Sequence, residues 1–172
     1  DYIPYVVIQI NKNVNYNDDL EYDYDKKYIA FTYDDGPSQY TEELLKTLEL
    51  NNSSATFFML GNRMKEYSDL VLNIYNSNSE IGSHSYSHKD LSSLSVNELY
   101  NEVNSTNIIF NSITGDNLKY LRPPYNYYNN DVINLNYEII FWNIDTKDWL
   151  VKDSKKIYND VISSACDACI VL

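Results

Sequence analysis

From Tyr28 onward, short apolar runs alternate with stretches that repeat at helical spacing, and this alternation constrains the fold more than any other feature of the chain. Strands are predicted over Tyr28 to Tyr33, Ala55 to Leu60, Glu80 to Ser83, Lys119 to Arg122, Tyr137 to Trp142 and Cys169 to Leu172. Helices are predicted over Thr41 to Leu50, with Leu44, Leu45 and Leu48 on one face, and over Arg63 to Asn76. Ser95 and Glu98 form a capping-box pair ahead of a third helix, whose stripe of Val96, Leu99, Val103, Phe110 and Ile113 runs on to Gly115. Short helices over Asn130 to Leu135 and Ser154 to Ser163 complete the series. Strands that alternate with helices join through crossovers, which is the pattern of a parallel α/β sheet.

Ahead of this series, Tyr5 to Ile10 is a predicted strand and Asn11 to Lys27 a polar, acidic loop or arm. The chain therefore divides into an N-terminal strand and arm, 1–27, and a single domain, 28–172. The 172 residues are enough for one domain with a core and too few for two. No internal repeat or low-complexity linker breaks the pattern. The formal net charge of −12 makes nucleic acid a poor partner and suits neutral or cationic ligands, although it also serves as a solubilising surface. No apolar run approaches the roughly 20 residues of a membrane span, and the N-terminal residues lack the pattern of a signal peptide, as a mature secreted fragment also would.

The polar residues that stand out fall just after predicted strands, where α/β barrels place their chemistry. In Thr32-Tyr33-Asp34-Asp35-Gly36-Pro37, two adjacent carboxylates are costly to hold together without a cation. The turn at Gly36-Pro37 is expected to bring both into one site; as a lone segment it also reads as a solvated acidic turn. His84-Ser85-Tyr86-Ser87-His88 holds the only two histidines of the chain, four residues apart, a spacing that lets both meet one metal from the same side if the segment is helical or tightly turned; two surface histidines are the other reading. With one carboxylate they make a His₂Asp set with an open position. In Arg122-Pro123-Pro124-Tyr125, the arginine can hold a carboxylate and the Tyr125 N–H can face a developing oxyanion; a rigid loop with a surface arginine is the other reading. Asp145, Asp148 and Trp149 follow the Tyr137 to Trp142 strand, where Trp149 can wall a sugar ring or an acetyl group or simply pack beside a polar loop. Cys166 and Cys169 are read as ordinary thiols, since a structural zinc needs two more ligands and a redox pair lacks its context. Asn51, Asn52 and Asn104 each open an N-x-[ST] sequon, a weak pointer to secretion.

Taken together and in this order, the four segments resemble the polysaccharide deacetylase family, carbohydrate esterase family four, from about Tyr28 to Leu172. Ala55-Thr56-Phe57-Phe58 and Glu80-Ile81-Gly82 are similar to the family's intervening strands. The resemblance implies a distorted (β/α) barrel of about seven strands, incomplete at its C-terminal end. It implies Asp34 as general base, Asp35, His84 and His88 as metal ligands, and Arg122 as the residue that orients the base. It implies Tyr125 as the oxyanion donor, Asp148 as the partner of a catalytic histidine in a fifth Leu-x-His motif, and Trp149 and Leu172 as lining for the substrate. Two departures stand out. Asn126 takes the place of the glycine that usually follows the tyrosine, a mild change because Asn tolerates positive φ. Ile170-Val171-Leu172 looks like the start of the fifth motif, and Leu172 stands two residues before the expected histidine.

The reaction implied is metal-dependent hydrolysis of N-acetyl groups on a polysaccharide. The metal is expected to be Zn²⁺, with Co²⁺ or Ni²⁺ compatible with the same ligands. The W-N-x-D-T-x-D-W and G-S-H-S-Y-S-H segments look most similar to fungal-type chitin deacetylases, so chitin or chito-oligosaccharides are expected, then peptidoglycan, then acetylated xylan. With both histidines given to the metal, none is left as the acid, and the 172-residue form is expected to be weak or inactive. The reading of another class is a family member that binds glycan or metal without turnover. A monomer, secreted or in the cell wall, is expected.

Overall fold

A computed structural model describes Val7–Ile8 and residues 28–172. Its elements are β1 (Val7–Ile8), β2 (Ile29–Gly36), α1 (Thr41–Leu50), β3 (Thr56–Met59), α2 (Gly61–Glu66), α3 (Ser68–Tyr75), β4 (Glu80–Ser83), α4 (Val96–Thr114), β5 (Tyr120–Leu121), α5 (Asn130–Ile133), β6 (Glu138–Ile140), α6 (Asp148–Val151), α7 (Ser154–Ser164) and β7 (Cys169–Val171). Single 3₁₀ turns cover Leu91–Ser93 and Pro124–Asn126. Most of the strand predicted over Tyr5 to Ile10, and all of the arm to Lys27, lie outside the described residues.

Six strands run parallel in the order β6-β5-β4-β3-β2-β7. The two-residue β1 adds an antiparallel partner to β6, so the barrel of about seven strands that was expected is met by six parallel strands in a curled half-barrel. The curl follows from one contact. In a flat sheet, five spacings of about 4.8 Å would put β6 about 24 Å from β7. Yet Ile144 forms a parallel bridge with Val171 of β7, and the four residues from Ile140 to Ile144 reach at most about 14 Å. The two edges of the array must therefore bend toward each other.

Strand alternation sorts side chains between two layers. Phe57 and Met59 of β3 face outward into a cluster with Leu45, Met64, Ile74 and Phe110 of the surrounding helices. Phe58, between them, points to the opposite side, where its ring lies under the Arg122 guanidinium at 4.1 Å. A second cluster joins Leu99 and Val103 of α4 to Leu121, Val132, Ile139 and Phe141. Gly82 of β4 is required by this arrangement, because a Cβ there would stand 2.5 Å from the Phe58 ring.

Three predicted elements differ in detail. The helix expected over Arg63 to Asn76 breaks at Tyr67 (φ −117°, ψ 43°), and the break lets Met64 on one side and Val71 and Ile74 on the other reach full burial. In α4 the Ser95–Glu98 capping box forms as expected and Gly115 closes the helix at φ 85°, but Val96 is exposed, leaving the buried stripe to begin at Leu99. The cysteines expected as ordinary thiols form a disulfide, Cys166–Cys169, because the turn before β7, with Ala168 at φ 56°, brings their Cα atoms to 5.4 Å.

Candidate metal centre

β2 carries Thr32, Asp34 and Asp35 to the end of the half-barrel. Neighbouring strand residues ordinarily point to opposite faces. Here the pairing with β3 shifts register between Asp34 and Gly36, and Asp35 adopts φ 66°. This bulge, and not the turn at Gly36-Pro37, is what brings two consecutive carboxylates to one site. The Gly36–Pro37 peptide that follows is cis.

β4 delivers the histidines. His84 directly follows the strand and is buried, and its Nδ1–H donates to the Arg122 carbonyl at 2.7 Å. His88 sits at φ 62°, its backbone N–H donating to Ser85 Oγ at 3.0 Å and its Nδ1 hydrogen-bonded to the Tyr125 hydroxyl at 3.0 Å. Both rings are thus held through Nδ1, which leaves both Nε2 atoms turned toward Asp35. Asp35 Oδ1 lies 3.6 Å from His84 Nε2 and 3.3 Å from His88 Nε2, and the three ligand atoms lie within 4.8 Å of one another.

Burial lowers the His84 pKa to about 4, against the raising effect of its hydrogen bond to the Arg122 carbonyl and of Asp35. At neutral pH the ring is uncharged, so its approaches to Asp34 (3.7 Å) and Asp35 are not ion pairs, and at these distances they are not hydrogen bonds either. A carboxylate oxygen and a bare imidazole lone pair converge with no proton between them. That is unfavourable unless a cation sits among them, and the N,N,O donor set suits zinc. The residues fit the ion that the sequence implied.

Asp34 is set differently. Arg122, fully buried, donates from Nη1 to Asp34 Oδ1 at 2.7 Å and to Thr32 Oγ1 at 2.8 Å, from Nε to Ile140 O at 3.2 Å and from Nη2 to Phe141 O at 3.3 Å. Thr32 Oγ1 donates onward to Val171 O at 2.7 Å. One guanidinium therefore spans the interior from β5 to β6 and β2, lying 4.1 Å from the centre of the Phe58 ring and 5.3 Å from that of Trp142. Burial pushes the Asp34 pKa up to about 6, Arg122 opposing the rise and Asp35 adding to it. A carboxyl tuned there is ionised at neutral pH and more basic than an ordinary aspartate.

The remaining residues read from sequence are placed unevenly. Tyr125 and Asn126 both take positive φ, 59° and 60°, a conformation that Asn tolerates. Tyr125 is brought to the site by its phenol as well, its ring 4.6 Å from that of His88, a contact the sequence reading did not foresee. Asp148 opens α6 and lines a groove with Tyr33, Asp34, Asp35, Tyr40, Phe57 and Arg63. Trp149 is 71% exposed, and neither it nor Leu172 is among the described residues lining that groove. Leu172 exchanges backbone hydrogen bonds with Ile144 and Thr146. Sequence reasoning missed Thr32, whose signal was its place two residues before Asp34 on the same strand face. It also missed Glu102, a glutamate among the buried residues of α4.

Among known proteins, the chain matches the family model "Polysaccharide deacetylase" over residues 21–139. It is 34% identical to the peptidoglycan-N-acetylmuramic acid deacetylase PdaC of Bacillus subtilis over 152 residues, which is 87% of this chain and 32% of PdaC. A solved structure of PdaC superposes with a TM-score of 0.85 at 33% identity, covering 88% of this chain and 76% of that one. Identity is 32% with a peptidoglycan-N-acetylglucosamine deacetylase of Bacillus cereus, over 87% of this chain and 56% of the relative. It is 38% with a chitin deacetylase of Arthroderma benhamiae, over 70% of this chain and 35% of the relative. The chain thus spans between about a third and somewhat over half of these relatives' lengths. With the order of the strands, the four segments at their ends and the family match all agreeing, the chain belongs to the polysaccharide deacetylase family.

Proposed function

We propose that this chain removes N-acetyl groups from an amino-sugar polysaccharide of the cell wall, with one divalent cation, zinc foremost, held by Asp35, His84 and His88. The observation that carries this reading is the convergence of one ligand atom each from Asp35, His84 and His88, beside a carboxylate held by a buried arginine. A bound divalent ion supplies Lewis-acid polarisation of an acetyl carbonyl and a lowered pKa for water. Asp34, held by Arg122, takes the proton of the attacking water. The Tyr125 N–H donates to the developing oxyanion, a contribution worth about 3 kcal/mol. Asp148 lines the same groove as Asp34 and Asp35. With His84 and His88 at the metal, neither serves as the acid, and the leaving amine takes its proton from another group.

The fungal-type likeness pointed to chitin. The relatives now favour peptidoglycan, since both bacterial proteins that match over 87% of the chain are peptidoglycan deacetylases. The groove adds a physical reason. Arg63 is the cation among its described lining residues, and a guanidinium there suits a glycan bearing carboxylates over neutral chitin. An extracellular setting is supported by the Cys166–Cys169 disulfide, and no described helix is long and apolar enough to cross a membrane. Acetate release from peptidoglycan, chitin oligomers and acetylated xylan by one zinc-loaded preparation tests the proposal. Peptidoglycan is expected to be fastest. Faster release from chitin oligomers would restore the chitin reading, and zinc binding with no release from any of the three would support the member without turnover.

A further inference from the structure

The loop that carries the histidines, 84–88, lies outside regular secondary structure, and two of its residues, Ser85 and His88, hold positive φ at 67° and 62°. Left-handed conformations cost energy for residues other than glycine and persist only where the surroundings over-determine them. On one side the restraint comes from the start of α2. The Gly61 N–H donates to Ser85 O at 3.0 Å and the Asn62 N–H to Tyr86 O at 3.1 Å. Gly61 permits this approach, because a Cβ there would stand 2.7 Å from Thr106 Oγ1 and 2.9 Å from Tyr86 Cδ2.

On the other side stands Glu102. It lies on α4 between Leu99 and Val103, both buried in the core, so the helix beneath it is fixed. Its carboxylate is itself buried, with a side chain 6% exposed. It accepts the Ser87 N–H at 3.0 Å, the Ser87 hydroxyl at 2.7 Å and the Lys89 ammonium at 3.0 Å. These partners are the residues immediately before and after His88. A buried carboxylate is costly unless its hydrogen-bonding capacity is filled, and this one is filled by the two neighbours of a proposed metal ligand.

We propose that Glu102 is a positioning residue for the metal centre, gripping Ser87 and Lys89 so that His88 is held in its left-handed conformation with Nε2 turned toward Asp35. The role rests on the reading of Asp35, His84 and His88 as the metal site. Glu102 touches neither substrate nor metal and acts through the backbone of the loop. Outer residues that orient metal ligands typically change metal affinity by about 10–100-fold when lost.

The test is zinc affinity, measured by chelator competition on the metal-free chain, beside thermal unfolding of the same samples. Glu102→Gln keeps the shape and one acceptor but gives up the charge and the second acceptor, and it is expected to weaken zinc binding about 10–100-fold. Val103→Ala, one residue along the same helix, removes packing in the cluster with Leu99, Leu121 and Ile139. It is expected to lower the unfolding temperature and leave zinc affinity unchanged. Ser87→Ala, a milder change, is expected to weaken zinc in the same direction, and the double variant with Glu102→Gln to lose less than the sum of the two. Wild-type affinity in both Glu102→Gln and Ser87→Ala would overturn the proposal, as would an equal loss in Val103→Ala. A wild-type chain that binds no zinc would overturn the metal site itself, and it is recognised without any variant.

Discussion

Arg122 and Asp34 carry opposite charges in an interior that neither would enter alone. Arg122 has no exposure, and four of its five N–H donors meet the Asp34 carboxylate, the Thr32 hydroxyl and the carbonyls of Ile140 and Phe141. Arg122→Leu is therefore expected to do more than loosen the base. It leaves Asp34 buried without its partner and is expected to destabilise the fold by about 3–5 kcal/mol, read from denaturant unfolding. Glu102 titrates in the opposite sense to Asp34. Burial alone would raise its pKa, but hydrogen bonds from Ser87 and the charge of Lys89 outweigh that and hold it below its ordinary 4.5. The folded state then binds its proton less readily than the unfolded chain, so the stabilisation is full above pH about 4.5 and fades as pH falls through the lower folded value. The stability gap between wild type and Glu102→Gln is expected to narrow below that pH, and a gap constant down to about pH 3 would remove this linkage. Asp34, Asp35, His84, His88 and Arg122, singled out in the sequence by residue type near strand ends and by the family resemblance, are brought together in the structure. Glu102 was not singled out, because a glutamate in a helix is ordinarily a solvated one, and only its burial among Leu99, Val103 and Thr106 marks it as different.

At the scale of elements, most of what the sequence placed was placed by period. The helix over Thr41–Leu50 and the strand over Glu80–Ser83 form within the expected bounds. What the period leaves open is how an element departs from regularity. The bulge at Asp35 and the break at Tyr67 follow from tertiary pairing with β3 and from burial on both sides of α2 and α3, neither of which a local pattern contains. The Cys166–Cys169 pairing likewise depends on a turn geometry that spacing does not dictate. The close fit of β4 against β3 gives a direct check. Gly82→Ala places a methyl group 2.5 Å from the Phe58 ring, the ring on which Arg122 rests. The cost is expected to be about 1–3 kcal/mol of overpacking. Because Phe58 supports Arg122, activity is expected to fall alongside stability. A Gly82→Ala chain of wild-type stability would show that the ring has room to move.

The whole molecule is an acidic half-barrel whose parallel strands present one end to a groove holding Asp34, Asp35 and Asp148 together with Arg63. Alternation in the sequence was enough to name the parallel α/β class. The curl was expected only from the family resemblance and not from alternation, because it depends on Ile144 reaching Val171 across the open side. At this scale substrate choice is the property most open to test. Arg63→Gln is expected to slow acetate release from peptidoglycan about tenfold, roughly the 1.5 kcal/mol of one charged hydrogen bond, and to leave chitin oligomers unaffected. Equal loss on both would assign Arg63 to the fold or to a contact common to both glycans. Every functional statement above depends first on the ion. The most direct test is the zinc stoichiometry of the metal-stripped chain and of Asp35→Ala, His84→Ala and His88→Ala, each checked for folding. One zinc per chain in the wild type, lost in all three variants, is expected; no uptake by the folded wild type, or uptake that survives all three substitutions, would contradict the proposed centre.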